Sequence, residues 1–203
     1  MNERALNQAV KNVSADDYLA AERLGATRRE FSGGQMIPKA GANRWHNLIA
    51  TNAAIAIGSR LHGNRSEIYV NAMRVRLGKN LICYPDVVVV NGEPNFSDAN
   101  ADLLLNPTAI IEVFSSVTNP SDKTRKQECY LAIDSIKECI QIKADEMRVE
   151  HYARQNAKQW LYKIYNERDD VISLDSINIK VSLAEIYAQI NIRQAELSSK
   201  AVN

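Results

Sequence analysis

The sequence predicts an α/β fold, with a mixed β-sheet of about four core strands flanked by helices. Three features carry that expectation. Leu48, Ile49, Ala53, Ala56, Ile57 and Leu61 form an apolar stripe at helical spacing, which marks a helix from Trp45 to Leu61. Two apolar runs, Leu81 to Val90 and Ala109 to Phe114, read as buried strands. A second helix start, Asn119-Pro120-Ser121-Asp122, follows the second run, with the proline suited to the first helical turn.

The elements can be justified in order. Ser14 caps a short helix to about Leu24, with Asp17 closing a capping box. Phe31 to Met36 forms two short strands around the Gly33-Gly34 turn, and Pro38 to Asn43 is a loop. Gly63-Asn64 ends the Trp45 helix. Three strands follow, at Ile68 to Leu77, Leu81 to Val90 and Ala109 to Phe114, the first two joined by Gly78-Lys79-Asn80. The polar, Asp- and Asn-rich link from Asn91 to Pro107 reads as a surface loop. The second helix runs to about Ile136, and Cys139 to Ile142 is the next strand. Met147 to Arg154 and Trp160 to Tyr165 alternate as a C-terminal β-hairpin. Ser182 caps a last helix through Ile190, and the polar tail from Asn191 reads as frayed. The whole chain, 1–203, reads as one domain. Its core spans about 44–145, with an N-terminal helix and hairpin at 14–37 and a C-terminal hairpin and helix at 147–190.

Composition narrows the function classes. The net charge is +1, from 25 basic and 24 acidic residues, so a nucleic-acid surface has to be a local patch. Arg74 and Arg76, with Lys79 and the Lys123-Thr124-Arg125-Lys126 run, are candidates for that patch. Cys83, Cys129 and Cys139 match no zinc spacing and read as reduced thiols. Met1-Asn2-Glu3-Arg4 opens no signal-like stretch, and no apolar run approaches membrane-spanning length, which implies a cytoplasmic protein without membrane partners.

Two carboxylates interrupt apolar strands. Asp86 precedes four valines in Tyr84-Pro85-Asp86, and Glu112 sits mid-strand in Ala109-Ile110-Ile111-Glu112-Val113-Phe114. Taken alone, either could face solvent at a strand mouth or edge. A buried carboxylate, however, is costly unless it is paired or bound to metal. Two on neighbouring strands sharing a face need a cation, and would then lie roughly 4–6 Å apart. Oxygen donors of this kind suit magnesium. Asp122, Lys126 and Tyr130, at spacings of four, share one helical face that could turn toward these carboxylates.

In order and spacing these residues resemble a bacterial restriction-endonuclease family (Uma-type, formerly a domain of unknown function) of the PD-(D/E)XK nuclease superfamily. The matching residues are Asp86 before its valines, Glu112-Val113-Phe114-Ser115-Ser116-Val117-Thr118, and Asp122, Lys126 and Tyr130. Arg29-Glu30-Phe31-Ser32-Gly33-Gly34 resembles the family's glutamate-leucine-x-aspartate-glycine stretch, with Ser32 in place of the aspartate. His46 stands where a histidine often opens the first core helix, and Glu138 to Lys143 resembles a later strand. The superfamily's lysine position, two residues after the glutamate, is Phe114 here.

The resemblance implies a restriction-endonuclease-like fold and metal-dependent hydrolysis of DNA phosphodiester bonds. Asp86, Glu112 and the Val113 carbonyl would hold Mg2+, with Mn2+ as a substitute. Lys126 would act as a migrated catalytic lysine, orienting water or offsetting charge. Glu30, Asp122, His46 and Tyr130 would support the site, and a homodimer would suit double-strand cutting. The alternative is a catalytically inactive nuclease-fold binding protein, a reading that Phe114 and the near-neutral charge favour. A two-carboxylate glycosidase ranks last, because an aromatic content of 6% gives little sign of a sugar-stacking cleft.

Overall fold

The structure is a computed structural model that describes residues 13–39, 41–61, 65–116 and 118–200. The chain start at 1–4, His62, the helix end assigned to Gly63-Asn64, and Val117 lie outside the described residues.

Helix α1 (Ala15–Leu24) starts where Ser14 accepts a hydrogen bond from the Asp17 amide. The hairpin β1 (Arg29–Ser32) and β2 (Gln35–Pro38) turns at Gly33 and Gly34, both at positive φ, a region open to glycine. Helix α2 (Arg44–Gly58) begins at the Asn43 cap and buries Trp45, Ile49, Ala50, Ala53, Ala56 and Ile57.

The next segments depart from the sequence expectation. Ile68 to Leu77 forms two strands, β3 (Ser66–Val70) and β4 (Arg74–Leu77), because Asn71 takes a left-handed φ of 59° and turns the chain. Leu81 to Val90 likewise divides into β5 (Leu81–Cys83) and β6 (Val87–Asn91). The break falls at Tyr84-Pro85-Asp86, where proline has no N–H for a ladder. The link from Asn91 to Pro107 is not wholly a surface loop. Its Leu103 and Leu104 form β7 (Leu103–Leu104), which is fully buried and pairs in parallel with β4.

After β8 (Ala109–Phe114), α3 (Pro120–Ala132) ends four residues earlier than expected, at extended Ile133. Strands β9 (Glu138–Lys143), β10 (Val149–Asn156) and β11 (Gln159–Tyr165) follow. Sequence reading missed the hairpin β12 (Val171–Leu174) and β13 (Ile179–Ser182), which flank a 3-10 turn at Asp175–Ile177. It also read the tail as frayed where helix α5 (Ile192–Lys200) forms. Between them, α4 (Leu183–Ile186) carries the capping box of Ser182 and Glu185.

The main sheet has six strands rather than about four, in the order β11-β10-β9-β8-β6-β3. The C-terminal hairpin therefore extends this sheet through β10 on β9. A second sheet has the order β2-β1-β5-β4-β7. The valine run shows why the main sheet is covered on both faces. Val87 and Val89 pack into the core beneath α2, α4 and the β12–β13 hairpin, whereas Val88 and Val90 pack into the core with Tyr130 of α3, β4 and β5. A strand buried on both faces reads as a continuous apolar run. Two of the places where the chain crosses from one sheet to the other, Asn71–Met73 and Tyr84–Asp86, lie side by side. The Asn71 amide donates to the Asp86 carbonyl at 2.8 Å and ties the two crossings together. No described helix is long and apolar enough to cross a membrane.

Candidate active site

Strand β6 pairs antiparallel with β8 through Val87↔Ile111 and Val88↔Ile110. Continuing that register by one residue sets Asp86 opposite Glu112. Directly opposed residues on one face have Cβ atoms about 4.5–5.5 Å apart. Both carboxylates are buried, Asp86 at 2% exposure and Glu112 at 4%. Ile110, two residues before Glu112, belongs to the α3-side core, so Glu112 faces α3.

Each carboxylate has its own partners. Asp86 Oδ2 accepts the Val113 amide at 2.8 Å. On its other oxygen, Oδ1, His46 Nε2 lies at 3.1 Å and Lys39 Nζ at 3.8 Å. Glu112 Oε1 accepts the Tyr130 hydroxyl at 2.5 Å, and the same hydroxyl lies 3.5 Å from Cys83 Sγ. Lys126 is buried on α3 and donates to Glu30 Oε1 at 2.9 Å, while the Tyr84 amide donates to the same Glu30 oxygen at 3.2 Å. Arg29 and the Tyr84 hydroxyl both bond Glu22, which steadies the turn that presents Asp86.

The electrostatics separate the two acids. Burial works to raise the pKa of Asp86, but His46, Lys39 and the Val113 amide outweigh it and hold this carboxyl below its usual range. Glu112 is pushed up to about 7, mainly by burial and further by the charge of Asp86, against the lowering effect of Lys126, Lys39 and the Tyr130 hydroxyl. Lys126 is raised even though burial works against it, because Glu112, Cys83 and Glu30 favour its charged form.

Of the residues singled out in the sequence, Asp86, Glu112, His46, Lys126, Tyr130 and Glu30 come together. Asp122 lies at the edge of this group. It is partly exposed, pairs with Arg125 at 2.5 Å, and lies 3.9 Å from Lys126, so Glu30 is the group that holds the lysine. Phe114 is buried with Lys123 Nζ 5.3 Å from its ring centroid. The expected basic patch does not form around Arg74, which is buried and paired with Asp102 while lying over the Tyr84 ring. Arg76 buries its Nε without a hydrogen-bond partner among the described residues. Sequence reading missed Lys39, which lies in a stretch read only as loop and carries no motif. It also missed Gln141, the β9 partner of Glu112, whose buried Oε1 has no hydrogen-bond donor among the described residues.

Among the described residues, no three His, Cys, Asp or Glu side chains gather as a metal cluster. The arrangement is instead two carboxylates that resist sharing full charge, with an orphaned amide oxygen on the neighbouring strand. It fits a hydrated divalent cation, because magnesium is commonly held by one or two carboxylates and keeps several waters that can donate to such an acceptor.

The mixed sheet with helices on its faces is an architecture shared with a solved structure. A crystal structure of a "putative nuclease belonging to DUF820" from Anabaena variabilis ATCC 29413 superposes with a TM-score of 0.72 at 19% identity. The match covers 88% of this chain and 99% of that one. The family model Uma2, described as "Putative restriction endonuclease", matches residues 15–185, and the chain belongs to that family. Two similar relatives come from Synechocystis sp. strain PCC 6803. The uncharacterized protein sll1609 is 34% identical over 74% of this chain and 86% of its own length. The uncharacterized protein slr1290 is 22% identical over 86% of this chain and 91% of its own length.

Proposed function

We propose that this chain is a magnesium-dependent endonuclease that hydrolyses DNA phosphodiester bonds. The observation that carries the reading is the pair of opposed, buried carboxylates Asp86 and Glu112, with Glu112 pushed up to about 7 by its burial and further by the charge of Asp86. Asp86, Glu112 and the Val113 carbonyl would hold the ion. When bound, magnesium, or manganese in its place, supplies positive charge at the scissile phosphate and acidifies the attacking water. His46 and the Val113 amide fix the orientation of Asp86, and Tyr130 fixes that of Glu112. Lys126 balances the buried charges of Glu30 and Glu112 and adds positive potential where charge develops on the phosphate.

Supercoiled plasmid and single-stranded DNA, incubated with magnesium or in chelator, test the reading. Cleavage should require the metal, and Glu112→Gln should abolish it while the fold persists, since an amide keeps the shape but not the charge. Equal cleavage by wild type and Glu112→Gln would point to a contaminant and remove the support. The second reading, a nuclease-fold binding protein without cleavage, is favoured by one observation: the position two residues after Glu112 is a buried phenylalanine. A wild-type protein that binds magnesium yet cuts neither substrate would establish it.

A further inference from the structure

We propose that Lys39, at the end of the β1–β2 hairpin, is the residue through which this site contacts the substrate phosphate. The inference rests on the reading of the site as one that takes a phosphodiester.

Two lysines influence the carboxylates, and they differ in what they can reach. The Lys126 side chain is 10% exposed and its ammonium is committed to Glu30 at 2.9 Å. A phosphate that arrives from solvent meets this group only through the protein. The Lys39 side chain is 22% exposed, close to the 23% of His46, and both reach the same oxygen of Asp86. The Oδ1 edge of Asp86 is thus the edge lined by Lys39 and His46, the two partly exposed groups beside it. Its other oxygen is covered by the Val113 amide.

The fold aims Lys39 there by backbone pairing. Its amide donates to the Arg28 carbonyl at 2.9 Å, which carries the hairpin ladder one residue past Arg29↔Pro38. Its ammonium donates to the Tyr84 carbonyl at 2.5 Å, at the crossing that presents Asp86. Arg28 is exposed beside it and donates to the Asn71 carbonyl at 2.9 Å, at the other crossing. Lys39 and Arg28 therefore form a cationic rim at the sheet crossings. This is the local patch that a chain of net charge +1 needs, in a different place from the one sequence reading assigned. The ammonium has three N–H donors. The Tyr84 carbonyl takes one, which leaves donors for a phosphate oxygen.

The test is metal-free DNA binding, measured by fluorescence anisotropy of a labelled duplex in chelator across a salt series. Loss of one phosphate contact lowers the slope of log K against log salt by about 0.9 and weakens binding evenly across sequences. Lys39→Met should show that loss, and Lys39→Arg should retain the wild-type slope. Lys180→Met, at an exposed site on β13, should also leave it unchanged. An unchanged slope in Lys39→Met overturns the proposal. A lowered melting temperature with an unchanged slope does so too, because it would mean that Lys39 only ties the hairpin to Tyr84. Wild-type protein with no affinity for DNA overturns it together with the nuclease reading. The two can fail separately. A Lys39-dependent slope in a protein that does not cut with magnesium upholds the Lys39 contact and sinks the nuclease reading. Wild-type cleavage by a Lys39→Met protein of unchanged slope does the reverse.

Discussion

In chelator, this protein should lose stability as pH rises from 5 to 8, and Glu112 should be the main reason. Its carboxyl sits at about 7 in the folded state against 4.5 for the free group, chiefly because it is buried. The sign follows from proton counting. Between those two values the folded chain binds a proton that the unfolded chain has released. The stabilisation is therefore complete below about 4.5 and is lost as pH climbs through about 7. At about 1.36 kcal/mol per pKa unit, the difference is worth about 3 kcal/mol. That is a large share of the 5–15 kcal/mol typical of a folded domain. Urea melts of wild type and Glu112→Gln at several pH values, all in chelator, measure it. Subtracting the two curves removes the contributions of groups that do not interact with Glu112. Wild type should gain on the variant toward pH 5 and fall behind toward pH 8. Magnesium should recover much of the loss, since a ligand that binds only the folded state stabilises it. Parallel curves for the two proteins would refute the claim that burial and Asp86 hold Glu112 near neutrality.

Three further outcomes follow from the same geometry. Magnesium affinity, measured by calorimetry, should fall about tenfold per pH unit below about 7 and level off above it, because the ion competes with the Glu112 proton; a flat profile would contradict this. Lys126→Met should cost about 3–5 kcal/mol in urea melts by stranding buried Glu30, and adding Glu30→Gln should restore most of that loss; additive losses in the double variant would show that the pair is not coupled. Asn71→Ala should destabilise by about 1–2 kcal/mol and Asn71→Gly by much less, because φ at this position is 59°; equal effects would mean that the turn is not what divides β3 from β4.

The local elements were legible where one kind of residue controls them. The Ser14, Asn119 and Ser182 caps start helices at the residues where a side chain satisfies free backbone amides. The valine run declared a doubly buried strand, and the carboxylates set into β6 and β8 stood out because charge in an apolar strand demands a reason. Elements that depend on partners were less visible. The β12–β13 hairpin carries a weaker pattern and finds its place against surfaces built by distant segments.

The sequence by itself determined that Asp86 and Glu112 would be the anomaly of this protein, and that one face of α3 would carry Lys126 and Tyr130 in line. It could not reveal that Tyr84-Pro85-Asp86 is a crossing between two sheets, since proline and aspartate mark a break without saying where the chain goes next. Nor could it reveal that Lys126 turns to Glu30, that Arg74 turns to Asp102, or that Lys39 arrives beside Asp86. Those pairings join residues distant in the chain, and periodicity describes only neighbours within one element. Which groups face each oxygen of Asp86 was decided by strand register and by the packing of α2, α3 and the β1–β2 hairpin around that crossing.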